Sequence, residues 1–295
     1  MGGSQMATDS SVCARVERSY SPLWLTTVFS PEVDAEFEAL GLHPLERYFA
    51  TRAAPIGAVS APVVVATFFN FSPAAVERTI PEIWTRLSPQ QLLDAQLAGV
   101  HRKLTRALAP LDGTVVPEAL AVLRRAAESA TDHAEGRPLF AGYAALPWPE
   151  DRYLQLWHAH YLLREFRGDG HISILASEGL SGLEALLLHI AWTPALGPLF
   201  RATRGWTDDE WDGATDKLRG AGWLSGDEQL TLTPAGRAYR ERIEARTNDR
   251  NAPAYRSATG DDLAKLTTLG ATIGNALRAD GPSVLGDLVP DDEPL

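Results

Sequence analysis

Apolar side chains recur at three- and four-residue intervals along most of this chain, the spacing of helices that bury one face. The run "SPEVDAEFEAL" (30–40) has Ser30 at the capping position, Pro31 at the first helical position and acids in the first turn, which predicts a helix. "HPLERYFATRAA" (43–54) follows the same design. In "SPQQLLDAQLAGVHRKLTRAL" (88–108), Leu92, Leu93, Leu97, Val100, Leu104 and Leu108 make one stripe, and "VPEALAVLRRAAESATDHA" (116–134) makes another. "GRPLFAGYAALPWPEDR" (136–152) holds three prolines and reads as a connection. A helix is expected from Pro149 to about Arg167. Gly168 and Gly170 then allow a sharp reversal, with Asp169 capping a further helix over "HISILASEGL".

After Leu180 the pattern changes. "SGLEALLLHIAW" (181–192) predicts a helix, "PLFRATRG" (198–205) a short piece, and 207–222 a helix capped by Thr207 and stopped by Gly220 and Gly222. A strand, a Gly-Asp turn, the β-rich strand "QLTLT" and a helix capped by Thr233 follow. This is the element order of a winged helix-turn-helix. A last helix over about 259–279 and an acidic tail complete the chain. The expected fold class is therefore all-α with a small β-wing: an N-terminal helical domain packed on a C-terminal winged helix-turn-helix domain. The expected divisions are a disordered tail 1–18, a helical domain 19–178, a winged-helix domain with the terminal helix 179–282, and an acidic tail 283–295.

Length and charge narrow the function. At 295 residues the chain can bury two cores. No apolar stretch approaches the roughly 20 residues of a membrane span, and the N-terminus lacks a signal pattern. The single cysteine, Cys13, excludes a disulfide framework and a thiolate metal site. A cytoplasmic protein with no membrane partner is expected. The formal net charge of −11 opposes general affinity for nucleic acid, which needs a basic face.

The 181–248 block, on "LRGAGWL" before the wing and "LTLTPAGRAYRERIE" after it, resembles the winged-helix domain of MarR-type regulators. A wider resemblance rests on "TRAAPIGAVSAPVVVATFFNFSP", "GRPL", "LPWPE", "LWHAHYLLREFRGDGH", "RGWTDDEW" and "LTPAGRAYRERIE". These segments resemble an actinobacterial family of largely uncharacterised helix-turn-helix-like proteins. Members usually read R-E-H-R-G-D-G-H and end the wing helix with T-D. Phe166 and Asn248 stand here where that pattern has His and Asp, which implies a lost or altered role if those groups matter. Dimers are common among winged-helix regulators, and the terminal helix is placed to serve a homodimer by that analogy.

In this architecture the 207–219 helix enters the major groove of DNA. It carries Asp208, Asp209, Glu210 and Asp212 in its first turns against only Lys217 and Arg219, the wrong charge for a phosphate surface. Candidate DNA contacts are Arg201, Arg204, Lys217 and Arg219, but nucleic acid is a disfavoured partner.

The densest cluster of ionisable groups beside apolar residues is "LLREFRGDGHISIL" (162–175). The plainer reading makes Arg164, Glu165, Arg167 and Asp169 a salt-bridge cluster at a domain junction. The functional reading makes them part of a ligand pocket between domains. Its expected binding residues are Arg52, Phe69, Asn70, Phe71, Trp157, Tyr161, Arg164 and Arg167, with arginine forks for a carboxylate or enolate. His158, His171, Glu165 and Asp169 are the candidate acid–base groups. His158 and His160 are two apart on a helix and point to different sides, and no H-E-x-x-H occurs, so neither a metal nor a cofactor is expected. Three functions fit. The first is a binder of a small organic ligand, anionic or aromatic, on a regulator-like scaffold. The second is a ligand-responsive transcriptional regulator, and the third an enzyme of specialised metabolism derived from the scaffold.

Overall fold

The computed structural model describes residues 10–226 and 229–281. Helices α1 (Ser10–Phe29), α2 (Pro31–Ala39), α3 (Pro44–Ala53), α4 (Ala61–Phe68), α5 (Pro73–Glu77) and α6 (Ile83–Arg86) come first. The long α7 (Pro89–Leu108) and α8 (Val115–Ala130) are followed by α9 (Pro138–Ala144) and α10 (Arg152–Ser177). Helices α11 (Gly182–Trp192), α12 (Gly197–Thr203) and α13 (Asp208–Gly220) precede strands β1 (Leu224–Ser225) and β2 (Thr231–Leu232). Helices α14 (Pro234–Asn251) and α15 (Gly260–Ala279) end the described chain. The protein is thus mostly helical with one antiparallel pair, Leu224 opposite Leu232 and Ser225 opposite Thr231.

Local chemistry sets most helix starts. Ser88 and Gln91, Ser181 and Glu184, and Thr207 and Glu210 each form a reciprocal capping box, satisfying backbone donors that a first turn leaves unpaired. The turn expected between β1 and β2 falls partly on 227–228, outside the described residues, as does the expected acidic tail.

Three expectations need correction. The tail expected over 1–18 is helical from Ser10 onward, and Cys13 is fully buried rather than frayed. The connection expected at 136–152 contains α9. Most consequentially, the chain does not reverse at Gly168 and Gly170. Helix α10 runs unbroken for 26 residues, and "HISILAS" is its final stretch. A glycine inside a helix costs about 0.5–1 kcal/mol relative to Ala. Burial of α10 in the cores on either side of these glycines outweighs this; at Gly170 a Cβ would be in ordinary van der Waals contact, 3.5 Å from the Arg137 guanidinium and 3.9 Å from the side chain of Arg250 on α14.

Two buried clusters result. The larger joins α1, α3, α4, α7, α8, α9 and the first two thirds of α10. The apolar face of α15 (Leu263, Leu266, Ile273 and Leu277) belongs to this cluster, not to the wing beside which the last helix was expected. The smaller gathers α11, Leu218 of α13, Leu224 of β1, and Tyr239 and Ile243 of α14. Ile174 and Leu175, near the end of α10, plug into it. Helix α10 is therefore the beam shared by both cores.

Candidate functional site

A cavity of about 430 Å³ lies along α10, with α3, the α4–α5 connection, α11, α12 and α14 completing its walls. That volume falls within the range of small-molecule sites. Phe68, Phe69, Phe71, Leu188, Leu199 and Phe200 give it apolar surface. Six arginines and three carboxylates also face it.

Two of those carboxylates are hubs. Glu165, 2 % exposed, takes Nη2 of Arg52 on both oxygens at 3.1 and 2.9 Å and Nη1 of Arg164 at 2.8 Å. Arg164 also lies over the Trp24 ring, 3.9 Å from its centroid. Glu244 accepts from Nη2 of Arg167 at 2.7 Å and from Arg240 one turn earlier on α14. Burial opposes ionisation of Glu244, yet Arg240 and Arg167 outweigh it and hold the carboxyl well below its ordinary range. The third carboxylate, Asp169, does not cap its own helix. Its Oδ2 accepts the Phe140 N–H at 2.9 Å, an otherwise unpaired donor in the first turn of α9, 29 residues away in sequence. Burial pushes this carboxyl up to about 7 despite the backbone N–H that favours its charge.

His158 is buried and His171 partly so, and both have their pKa values lowered by desolvation. His171 Nδ1 lies 2.8 Å from Thr247 Oγ1, and that hydroxyl donates to the Ile243 carbonyl. The hydroxyl proton is thereby committed, so Nδ1 of His171 carries the proton of their shared bond. Burial lowers the His171 pKa to about 3. His158 lies away from the cavity, edge-on to Trp148 at 4.8 Å, with its pKa lowered by burial to about 4.

One stretch of wall is strained. Phe69 has φ 53° and ψ −54°, and the Asn70 N–H reaches the Phe68 carbonyl at 2.6 Å, a γ-turn of the rarer positive-φ kind. Its surroundings hold it in place. Trp206 Nε1 donates to the Asn70 carbonyl at 3.0 Å, and the Ser72 N–H donates to the Arg204 carbonyl at 2.9 Å. Gly182 lies so close that a Cβ there would meet the Phe69 oxygen. The cavity wall is thus pinned to the residues just before α13.

Of the expected binding residues, Arg52, Phe69, Asn70, Phe71, Tyr161, Arg164 and Arg167 line this cavity. Trp157 does not; it is buried with its ring 4.8 Å from that of Tyr161. Of the acid–base candidates, Glu165, Asp169 and His171 face the cavity and His158 does not. Among the residues proposed to touch DNA, Arg204 turns into the cavity. Arg201 pairs with Asp208, Lys217 with Glu184, and Arg219 with Asp216. The departures from the resemblance pattern also have places: Phe166 packs edge-on against Phe140 at 5.1 Å, and Asn248 accepts from Arg167 at 3.3 Å. Sequence reasoning missed Tyr48, Gln96, His189, Arg240 and Glu244. Tyr48 had a signal, since it stands one turn before Arg52 on the same helix face.

Three helices, a two-stranded wing and a further helix in this order define a winged-helix-like element. The sequence model of a helix-turn-helix family matches residues 13–283, and the chain belongs to that family. No curated protein and no solved structure matches the chain. Among the described residues no helix is long and apolar enough to cross a membrane, and no three His, Cys, Asp or Glu side chains group as metal ligands.

Proposed function

We propose that this protein binds a small organic ligand in the cavity along α10, and that its helix-turn-helix scaffold has little or no affinity for DNA. The cavity carries the reading, because apolar walls with a few convergent polar groups are the makeup of ligand sites. The face of α13 supports the second half. Asp208, Asp209, Glu210 and Asp212 are exposed, while the nearby cations are paired with carboxylates of the same protein. Filling the cavity with Ala185→Trp supplies the test. Small molecules retained from an extract of the host and released on denaturation should be found by mass spectrometry with the parent protein and be missing with the variant. Equal recovery from both, or a gel shift of its own upstream DNA at low and moderate salt, would contradict the reading.

Asp169 favours a second reading, as an enzyme. A buried carboxyl with a pKa near 7 beside a cavity is poised for general acid–base work. Turnover lost in Asp169→Asn, with ligand binding retained, would decide for chemistry.

A further inference from the structure

The cavity's guanidinium groups are not equivalent. Arg52 and Arg164 share Glu165, Arg167 and Arg240 share Glu244, and Arg47 is paired with Asp34. Arg204 has no carboxylate partner among the described residues. Its Nη1 donates to Thr203 Oγ1 at 2.7 Å, and its buried Nε–H donates to nothing. The group lies 4.3 Å from the Phe71 ring centroid and 4.5 Å from that of Phe200, both cavity walls. A guanidinium lying over aromatic rings keeps its N–H edge for a partner, the geometry that takes a carboxylate side-on.

Tyr48 adds a second donor. Its ring is 5.3 Å from Phe71, and its oxygen accepts from Nη1 of Arg52 at 3.0 Å. The phenolic proton is therefore free to point elsewhere. Burial raises the pKa of this phenol, but Arg52 and Arg204 outweigh burial and bring it below its ordinary value, as expected in a field that attracts anions. Gln96 gives an independent sign of an occupant. It is 1 % exposed, faces the cavity, and neither atom of its amide has a partner. Buried amides are seldom left in that condition.

Resting on the ligand-binding reading above, we infer that the ligand is an aromatic monocarboxylate whose acid group is held by Arg204 and Tyr48 and whose rings lie against Phe71 and Phe200. One guanidinium without a carboxylate partner among the described residues matches one negative charge. A phosphate dianion or a polyphosphate would need cations that the Glu165 and Glu244 hubs already occupy.

Calorimetric titration of the full chain with 2-naphthoate, its neutral analogue 2-naphthamide and the cation 2-naphthylmethylamine tests this. The acid should bind about ten- to a hundredfold more tightly than the amide, the range of a charge-assisted pair, and the amine should not bind. Arg204→Met, which keeps an unbranched apolar stem without the charge, should abolish the preference for the acid; Arg204→Lys should keep part of it. Thermal unfolding without ligand shows whether each variant is folded. If Arg204→Met does not fold, Tyr48→Phe, which lacks the second donor, should lower the preference for the acid and decides instead. Acid and amide binding equally well, in a manner blocked by Ala185→Trp, would overturn the carboxylate assignment and leave the ligand site standing. No binding of any probe would overturn both.

Discussion

The cavity wall and the exposed face of α13 are both crowded with charge, and they handle it in opposite ways. Around the cavity the carboxylates are few; two of the three, Glu165 and Glu244, are each shared between two arginines, the third takes a backbone N–H, and one guanidinium has no carboxylate partner among the described residues. On α13 the acids are numerous and in water, where they favour the helix N-terminus through its dipole and repel a phosphate backbone. The overall charge of −11 describes the surface and hides the sign of the interior. The proposed ligand, an anion, would draw on that difference, and a phosphate backbone at α13 would be opposed by it.

Removing the hub at Glu165 breaks the buried side of the comparison and has the largest expected effect. Glu165→Leu strands the guanidinium groups of Arg52 and Arg164, and unfolding in urea should show a loss of about 3–5 kcal/mol. If the loss is under about 1 kcal/mol, typical of exposed ion pairs, the hub is solvated and the two regions are alike.

Burial also predicts a pH dependence. His160 on α10 is 2 % exposed with an unpartnered Nε2, and burial, aided by Arg164, lowers its pKa from 6.5 to about 3. The unfolded chain takes up this proton as pH falls through 6.5, and the folded chain does so only near 3. Stability is therefore lost as the solution is acidified through that window. Asp169 and Glu17, whose pKa values burial raises, act in the opposite direction. His160→Phe should recover about 2–3 kcal/mol at pH 4.5 relative to neutral pH, read as the difference between unfolding curves of parent and variant. Parallel pH profiles would mean that His160 is reached by water.

A smaller effect tests the link between the regions. Trp206→Phe removes the donor that ties the cavity wall at Asn70 to the residues before α13, and should lower stability by about 1 kcal/mol. Faster hydrogen exchange at Phe69–Phe71 should accompany it. Exchange unchanged there would show that the wall holds its strained turn without α13. The smallest change has the opposite sign. Gly168→Ala should stabilise by about 0.5–1 kcal/mol, because a Cβ there would have only the Glu165 carboxylate near it, at 3.7 Å. A drop in melting temperature would favour a chain reversal at this glycine.

What could be read in advance, and what could not, follows from how local the signals are. Helices α7, α11, α13 and α14 announce themselves because Ser or Thr caps, with Pro or an acid a few residues later, are signals within one turn. Helix α9 does not, since the carboxylate capping it lies in α10. The two glycines in α10 suggest a break by their intrinsic cost, and only the burial of the helix in one core before them and in another after them shows why it continues. In the site, "LLREFRGDGH" gives the chemistry without the geometry. Arg164, Glu165, Arg167, Asp169 and His171 do face one hollow, but along a continuous helix rather than around a bend. Arg204 shows the limit most clearly. Its place in a helix-turn-helix suggests a phosphate contact, and nothing in the neighbouring sequence says that the side chain turns inward onto Phe71 and Phe200.

Crystals grown with 6-iodo-2-naphthoate test the central claim most directly, since iodine is located by its anomalous scattering independently of any interpretation of the map. The account predicts iodine inside the cavity along α10, with the carboxylate in hydrogen-bonding reach of Arg204 and Tyr48. Iodine only on the exterior of the protein, with Arg204 paired to one of the protein's own carboxylates, would contradict it.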